Sequence, residues 1–217
     1  MDDEDYETWL DGYKEHGLTW EEWRGKLTNN RFVSNKLGNK KVFITEQAID
    51  KVKQVNFEGL LNSHKLQQLH KEILYKSMIE NNSNEVLAIV DINDYDNKVI
   101  TFGSERKVSP GENIKAVALM EKSKYQSVYW LHNHAFTSDF SYDDIGCFFD
   151  ERVKAITIVT NKGKISVLNK TKNYDIKKFR DIILKERQKF ANPIDHADEL
   201  AKAILKRHRE CGIQWIR

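Results

Sequence analysis

The chain is 217 residues long with a mass of 25.5 kDa; 40% of its residues are apolar, 31% are charged, and its net charge is +2. That composition suits a soluble globular protein with one core and extensions, and excludes a helical membrane protein, because no apolar run approaches the roughly 20 residues of a span. The acidic start from Met1 to Asp5 lacks the basic and apolar regions of a signal peptide, so a cytoplasmic protein is expected.

In chain order, residues 1–27 carry Tyr6, Trp9, Tyr13, Trp20 and Trp23 among acids, and Thr19 with Glu22 forms a capping box, which predicts a short acidic, aromatic helical segment. Residues 28–41, rich in Asn, Lys and Gly, read as a linker, and 42–217 as one domain with its core over 85–171. Helical spacing of Phe57, Leu60, Leu61, Leu69, Ile73 and Leu74 predicts a helix over 57–79, stopped by Asn81, Asn82, Ser83 and Asn84. Apolar runs over 86–90 and 99–102 flank a polar turn and predict a hairpin, followed by a helix over 113–124. A β-branched and aromatic strand over 127–131 ends in His132 and His134, and Ser141 opens a helix through Phe149. A second hairpin over 155–160 and 165–168 turns at Asn161, Lys162 and Gly163. Two amphipathic helices follow, marked by Ile176, Phe179, Ile183 and Phe190 and then by Ala197, Leu200, Ala201, Ile204 and His208; Gly212 closes the second, and 213–216 is placed as an edge strand. The fold class expected is mixed α/β (α+β), a mixed sheet flanked by helices with helical N- and C-terminal extensions. Cys147 and Cys211, too few for a disulfide framework and with no near neighbour for a zinc ribbon, are read as buried thiols.

The chemistry concentrates in 130–145, which reads WLHNHAFTSDFSYDDI. Strand side chains alternate faces, so His132 and His134 point the same way and can share one divalent ion. A carboxylate from the next element would complete three ligands with an open position for water, and Asp144 is the candidate. Ser141 and Asp144 are three apart at a helix start, so Ser141 also reads as an N-cap, which would hold Asp144 in reach of the metal.

An upstream Glu, then H-x-H, then S-x-x-D resembles the pattern of the JAB/MPN (JAMM) metalloprotease superfamily, with RadC-like and prokaryotic JAB domains the most similar. The resemblance spans 85–171 and includes the element order. It implies a JAB/MPN-like (cytidine-deaminase-like) fold, zinc held by His132, His134 and Asp144, Glu85 as general base, and Ser141 stabilising the oxyanion of the attacked carbonyl. Glu80 is the second choice for the base. Ala135 stands where the family usually has Pro, and nine residues (135–143) separate His134 from Asp144 where ten are common, which keeps Asp139 and Asp143 as alternative ligands.

The resemblance implies a zinc-dependent hydrolase acting on a protein or peptide substrate, with a ubiquitin-like tail as one form, and a setting in a phage or polymorphic-toxin assembly. The alternative classes are a catalytically inactive MPN-like scaffold or interaction module, and a RadC-like nucleic-acid-associated protein. The basic character of the C-terminal helices (Lys177, Lys178, Arg180, Lys185, Arg187) is diluted by Asp175, Asp181 and Glu186, so it reads as a solvated face and nucleic acid is not expected as a partner. His64, His70, His196 and His208 fall on predicted helices without local partners and read as surface or satisfied-core histidines.

Overall fold

The computed structural model describes residues 41–136, 138–193 and 195–217. The helical segment expected over 1–27 and the linker expected over 28–41, apart from Lys41, lie outside the described residues. The element order is α1 (Glu46–Asp50), α2 (Ser63–Glu80), β1 (Val86–Asp91), β2 (Lys98–Phe102), α3 (Ile114–Lys122), β3 (Val128–His134), α4 (Tyr142–Cys147), β4 (Val153–Thr160), β5 (Ile165–Lys170), α5 (Ile176–Arg187), α6 (Ala197–Lys206) and β6 (Ile213–Ile216).

The strands form one six-stranded sheet in the order β2-β1-β3-β4-β5-β6. Only β3 and β4 run parallel; every other neighbouring pair is antiparallel. The result is a mixed α+β architecture with helices on both faces. Residues 86–90 of β1 and 128–131 of β3 are buried apolar runs, as strands covered on both faces must be. Leu87, Ile89, Trp130, Ile156, Ile158 and Leu168 face α3, α4, α5 and α6. The alternate residues Val86, Ala88, Val90, Tyr129, Leu131 and Val167 face α2.

Helix α2 is N-capped by Asn62, whose side chain accepts from Lys65 N at 2.9 Å, and buries Leu66, Leu69, His70, Ile73, Leu74 and Ser77 on one stripe. The start differs from the expected Phe57 because 57–62 forms turns before that cap, with Gly59 at φ +82°. His70 is fully buried, with Nε2 2.7 Å from Thr157 Oγ1 on β4. Burial pushes its pKa down to about 3, and Nδ1 has no partner, so one ring nitrogen is satisfied and the other is not.

Two further readings of the sequence change. Cys211 is buried but Cys147, at the last turn of α4, is half-exposed. His196 caps α6 instead of lying inside it, and His208 opens a 3-10 turn over His208–Cys211. That turn ends at Gly212 with φ +73°, where a Cβ would stand 2.1 Å from the Asn173 carbonyl oxygen, so glycine is required for the entry into β6. β6 pairs with β5 at the sheet edge. Among the described residues no helix is long and apolar enough to cross a membrane.

Candidate metal centre

The two histidines lie inside β3, not beyond its end, so the strand ladder itself fixes their spacing and direction. Residues 128 and 130 of β3 face the α3–α6 layer, and the period of two carries His132 and His134 to that same face. They stand at the C-terminal ends of the parallel pair β3 and β4, where the chain must leave the sheet for its crossover. That crossover contains α4, which brings Asp144 back over the strand ends.

The ring nitrogens converge. His132 Nε2 and His134 Nε2 are 2.9 Å apart, and the Asp144 carboxylate oxygens stand 3.1 Å from the first and 3.6 Å from the second. Tetrahedral ligands on bonds of 2.0–2.1 Å are spaced by about 3.3 Å, so these separations bracket what a single small divalent cation requires. Among the described residues this trio is the one group of three or more His, Cys, Asp or Glu side chains gathered closely enough to hold a metal ion. The donors are two imidazoles and one carboxylate, a set that suits first-row divalent metals better than calcium or magnesium.

Neighbours hold Asp144 and His134. Ser141 and Asp144 form a reciprocal capping box: the Asp144 amide donates to Ser141 Oγ at 3.1 Å, while Ser141 N and Oγ both donate to Asp144 Oδ2 at 2.7 Å. The single hydroxyl hydrogen of Ser141 therefore lies on the ligand carboxylate. His134 Nδ1 sits 3.1 Å from Ser138 Oγ and 3.3 Å from the Ser138 carbonyl, which favours a hydrogen on Nδ1 and leaves Nε2 as a lone pair aimed inward.

The electrostatics match that tautomer. Burial, then the neighbouring His132, lowers the His134 pKa to about 4, so the ring is neutral at pH 7. Burial raises the Asp144 pKa, but the two imidazoles and the Ser141 hydroxyl outweigh it and hold the carboxyl well below its ordinary range. A neutral imidazole beside an ionised carboxylate is the protonation state that metal binding needs.

Glu85 immediately precedes β1 and is buried at 8% exposure. The β1–β3 register pairs Leu87 with His132, so Glu85, two residues earlier on the same face, stands on the histidine side of the sheet. Burial first, then the negative charges of Asp144 and Asp143, raises its carboxyl well above the usual carboxylate range. Glu80 is instead at the exposed end of α2, paired with Lys76 at 3.1 Å. Asp139 pairs with Arg217 at 2.8 Å, and Asp143 is exposed on the first turn of α4; neither joins the trio. Ala135, fully buried, accepts from Val42 N at 2.8 Å through its carbonyl, which ties 41–45 to the loop leaving His134.

The sequence pattern gives Asn133 no role beyond the middle position of H-x-H. Asn133, between the histidines, is fully buried on the opposite face of β3 and is bonded to the backbone on both sides of Glu85. The signal was its position on the Tyr129 and Leu131 face, where an amide among core residues must find partners. Comparison of the chain with protein-family models, curated proteins and solved structures finds no match.

Proposed function

We propose that this chain is a zinc-dependent hydrolase of the JAB/MPN (JAMM) type, most similar to RadC-like and prokaryotic JAB domains, that cleaves peptide or isopeptide bonds. The observation that carries the reading is the convergence of His132, His134 and Asp144 into a three-donor set, with Glu85 buried on the same face of the sheet. Held by those three donors, zinc supplies Lewis acidity and brings the pKa of a water toward neutrality.

The chain's own residues account for the remaining steps. Glu85, whose raised proton affinity comes from burial beside Asp144 and Asp143, accepts a proton from the attacking water and returns it to the leaving amine. A carboxylate in ordinary solvent is too weak a base for that exchange near neutral pH. Ser141 holds Asp144 in the resting site, and stabilises the carbonyl oxyanion if it redirects its hydroxyl hydrogen to the substrate. The substrate class proposed is a peptide or protein, including the C-terminal tail of a ubiquitin-like protein.

The test is bound metal per chain, measured on purified protein, together with turnover of a panel of peptide and isopeptide substrates by wild type and by Glu85→Gln. Metal near one equivalent in both proteins, with turnover reduced at least a hundredfold in Glu85→Gln, is expected. Equal turnover removes Glu85 from the role of base, and protein that binds no zinc ends the hydrolase reading.

A further inference from the structure

We propose that Asn133 is the positioning residue of this site, setting the Glu85 carboxylate against the metal ligands by clasping the backbone on either side of it. The inference rests on the hydrolase reading for its catalytic meaning and on hydrogen bonds for its geometry. Asn133 Oδ1 accepts from Val86 N at 2.7 Å, and Asn133 Nδ2 donates to the Asn84 carbonyl at 3.1 Å. Val86 follows Glu85 and Asn84 precedes it, so one primary amide grips both neighbours of the proposed base.

This clasp matters because of where the backbone ladder stops. The β1–β3 pairing ends at Leu87 and His132, one residue short of Val86 and Asn133. Beyond that rung the Asn133 side chain replaces a backbone partner and keeps the 84–86 segment alongside β3. On its other side Glu85 is held by Ser104, whose carbonyl accepts from Glu85 N at 2.9 Å, and by Gly103 N, which donates to the Glu85 carbonyl at 2.8 Å. The end of α2 holds the segment as well, since Ser77 Oγ donates to the Asn84 carbonyl and Asn81 Nδ2 to the Glu85 carbonyl at 2.9 Å, but neither bond reaches β3. Without the clasp the segment would stay tied to α2 and the 103–104 loop, and the distance from Glu85 to the histidines would no longer be set by β3.

Side-chain chemistry leaves little choice at position 133. The clasp needs an acceptor and a donor on one planar group of fixed reach; aspartate lacks the hydrogens, serine falls short and glutamine is one methylene too long. The amide orientation follows from its surroundings, since Oδ1 faces an N–H while Nδ2 faces the Asn84 carbonyl, Ser77 Oγ at 3.2 Å and Asn161 Oδ1 at 2.7 Å. Asn161 in turn donates to the Ser83 and Val42 carbonyls, which anchors the clasp to the body of the domain. Asn133 touches no reacting atom and acts through Glu85.

The experiment compares wild type, Asn133→Ser, Glu85→Gln and the double variant for zinc affinity, kcat, KM and amide hydrogen exchange. Asn133→Ser is expected to keep zinc affinity within about threefold and KM unchanged, to lose 10- to 100-fold in kcat, and to add no further loss on top of Glu85→Gln. Losses that multiply in the double variant overturn the positioning role. The exchange arm needs no turnover: in wild type the Val86 amide is expected to be as protected as those of β1, and in Asn133→Ser to exchange at least tenfold faster while the Ile145 amide of α4 is unchanged. A wild-type Val86 amide that exchanges like a loop residue overturns the clasp even if no variant folds. Absence of turnover in wild type with the clasp intact counts against the hydrolase reading and not against the geometry.

Discussion

At the level of single residues, the site divides by how locally each part is encoded. His132 and His134 announce themselves through the period of the strand, and Asp144 through the Ser-x-x-Asp spacing of a capping box, so all three are legible in one short stretch. Glu85 is not legible that way: a Glu before a strand is ordinarily a solvated charge, and only its likeness to a family pattern singled it out. Its backbone is placed by Gly103, Ser104 and, through Val86, Asn133, which come from other parts of the chain. Ser141 allows a test of the local part. Ser141→Ala removes both the hydroxyl that caps α4 and a hydrogen bond to the ligand carboxylate. The metal-free protein should lose about 1 kcal/mol in urea unfolding, and the zinc dissociation constant should rise roughly tenfold in a competition titration. The Ser141 amide still donates to Asp144 Oδ2, so complete loss of binding would contradict this account.

At the level of elements, the strands and their order follow from runs of β-branched and aromatic residues between polar turns, and the observed order matches the expected one from β1 to β5. The errors in the elements fall at their ends: β3 runs on through His134, and at α2 a cap decides where apolar spacing misleads, since Phe57 and Leu60 are apolar at helical spacing yet the cap at Asn62 starts the helix later. Which face of α2 is buried also has a cost the sequence did not disclose. His70 fits between α2 and β4 only as a neutral ring, with its pKa pushed down to about 3 against an ordinary 6.5. Above pH 6.5 the ring is neutral in both states and costs nothing by this route. Below it the unfolded chain takes up a proton that the folded one refuses, so stability falls as pH drops from 6.5 toward 3. By pH 5 the loss is about 2 kcal/mol. Denaturant melts of His70→Gln should show a pH 7 to pH 5 drop smaller than that of wild type by about this amount, and parallel curves would place the acid sensitivity elsewhere.

For the whole molecule, metal and fold should be linked. The three ligands belong to β3 and α4, which meet only when the crossover has closed over the sheet, so a cation that binds the folded site and not the open chain must stabilise it. At free zinc one hundred times the dissociation constant the gain is about 2.7 kcal/mol, equivalent to a rise in Tm of roughly 5 to 10 °C for a chain of this size. Calorimetry with zinc and with chelator should show that shift in wild type and none in His132→Ala. A zinc-dependent shift that survives in His132→Ala would move the site away from β3.

The lone parallel pairing in the sheet has a kinetic corollary. Parallel neighbours need a connection that leaves one end of the sheet and returns to the other, and here that unavoidable detour carries Ser141 and Asp144. The ligands are thus separated by a short loop whose closure entropy is small, whereas Glu85 joins them only when a contact spanning 47 positions, from Val86 to Asn133, has formed. During refolding, the capacity to capture a cation should therefore arise early and the placement of Glu85 late, leaving an interval in which the domain is loaded but lacks its proposed base.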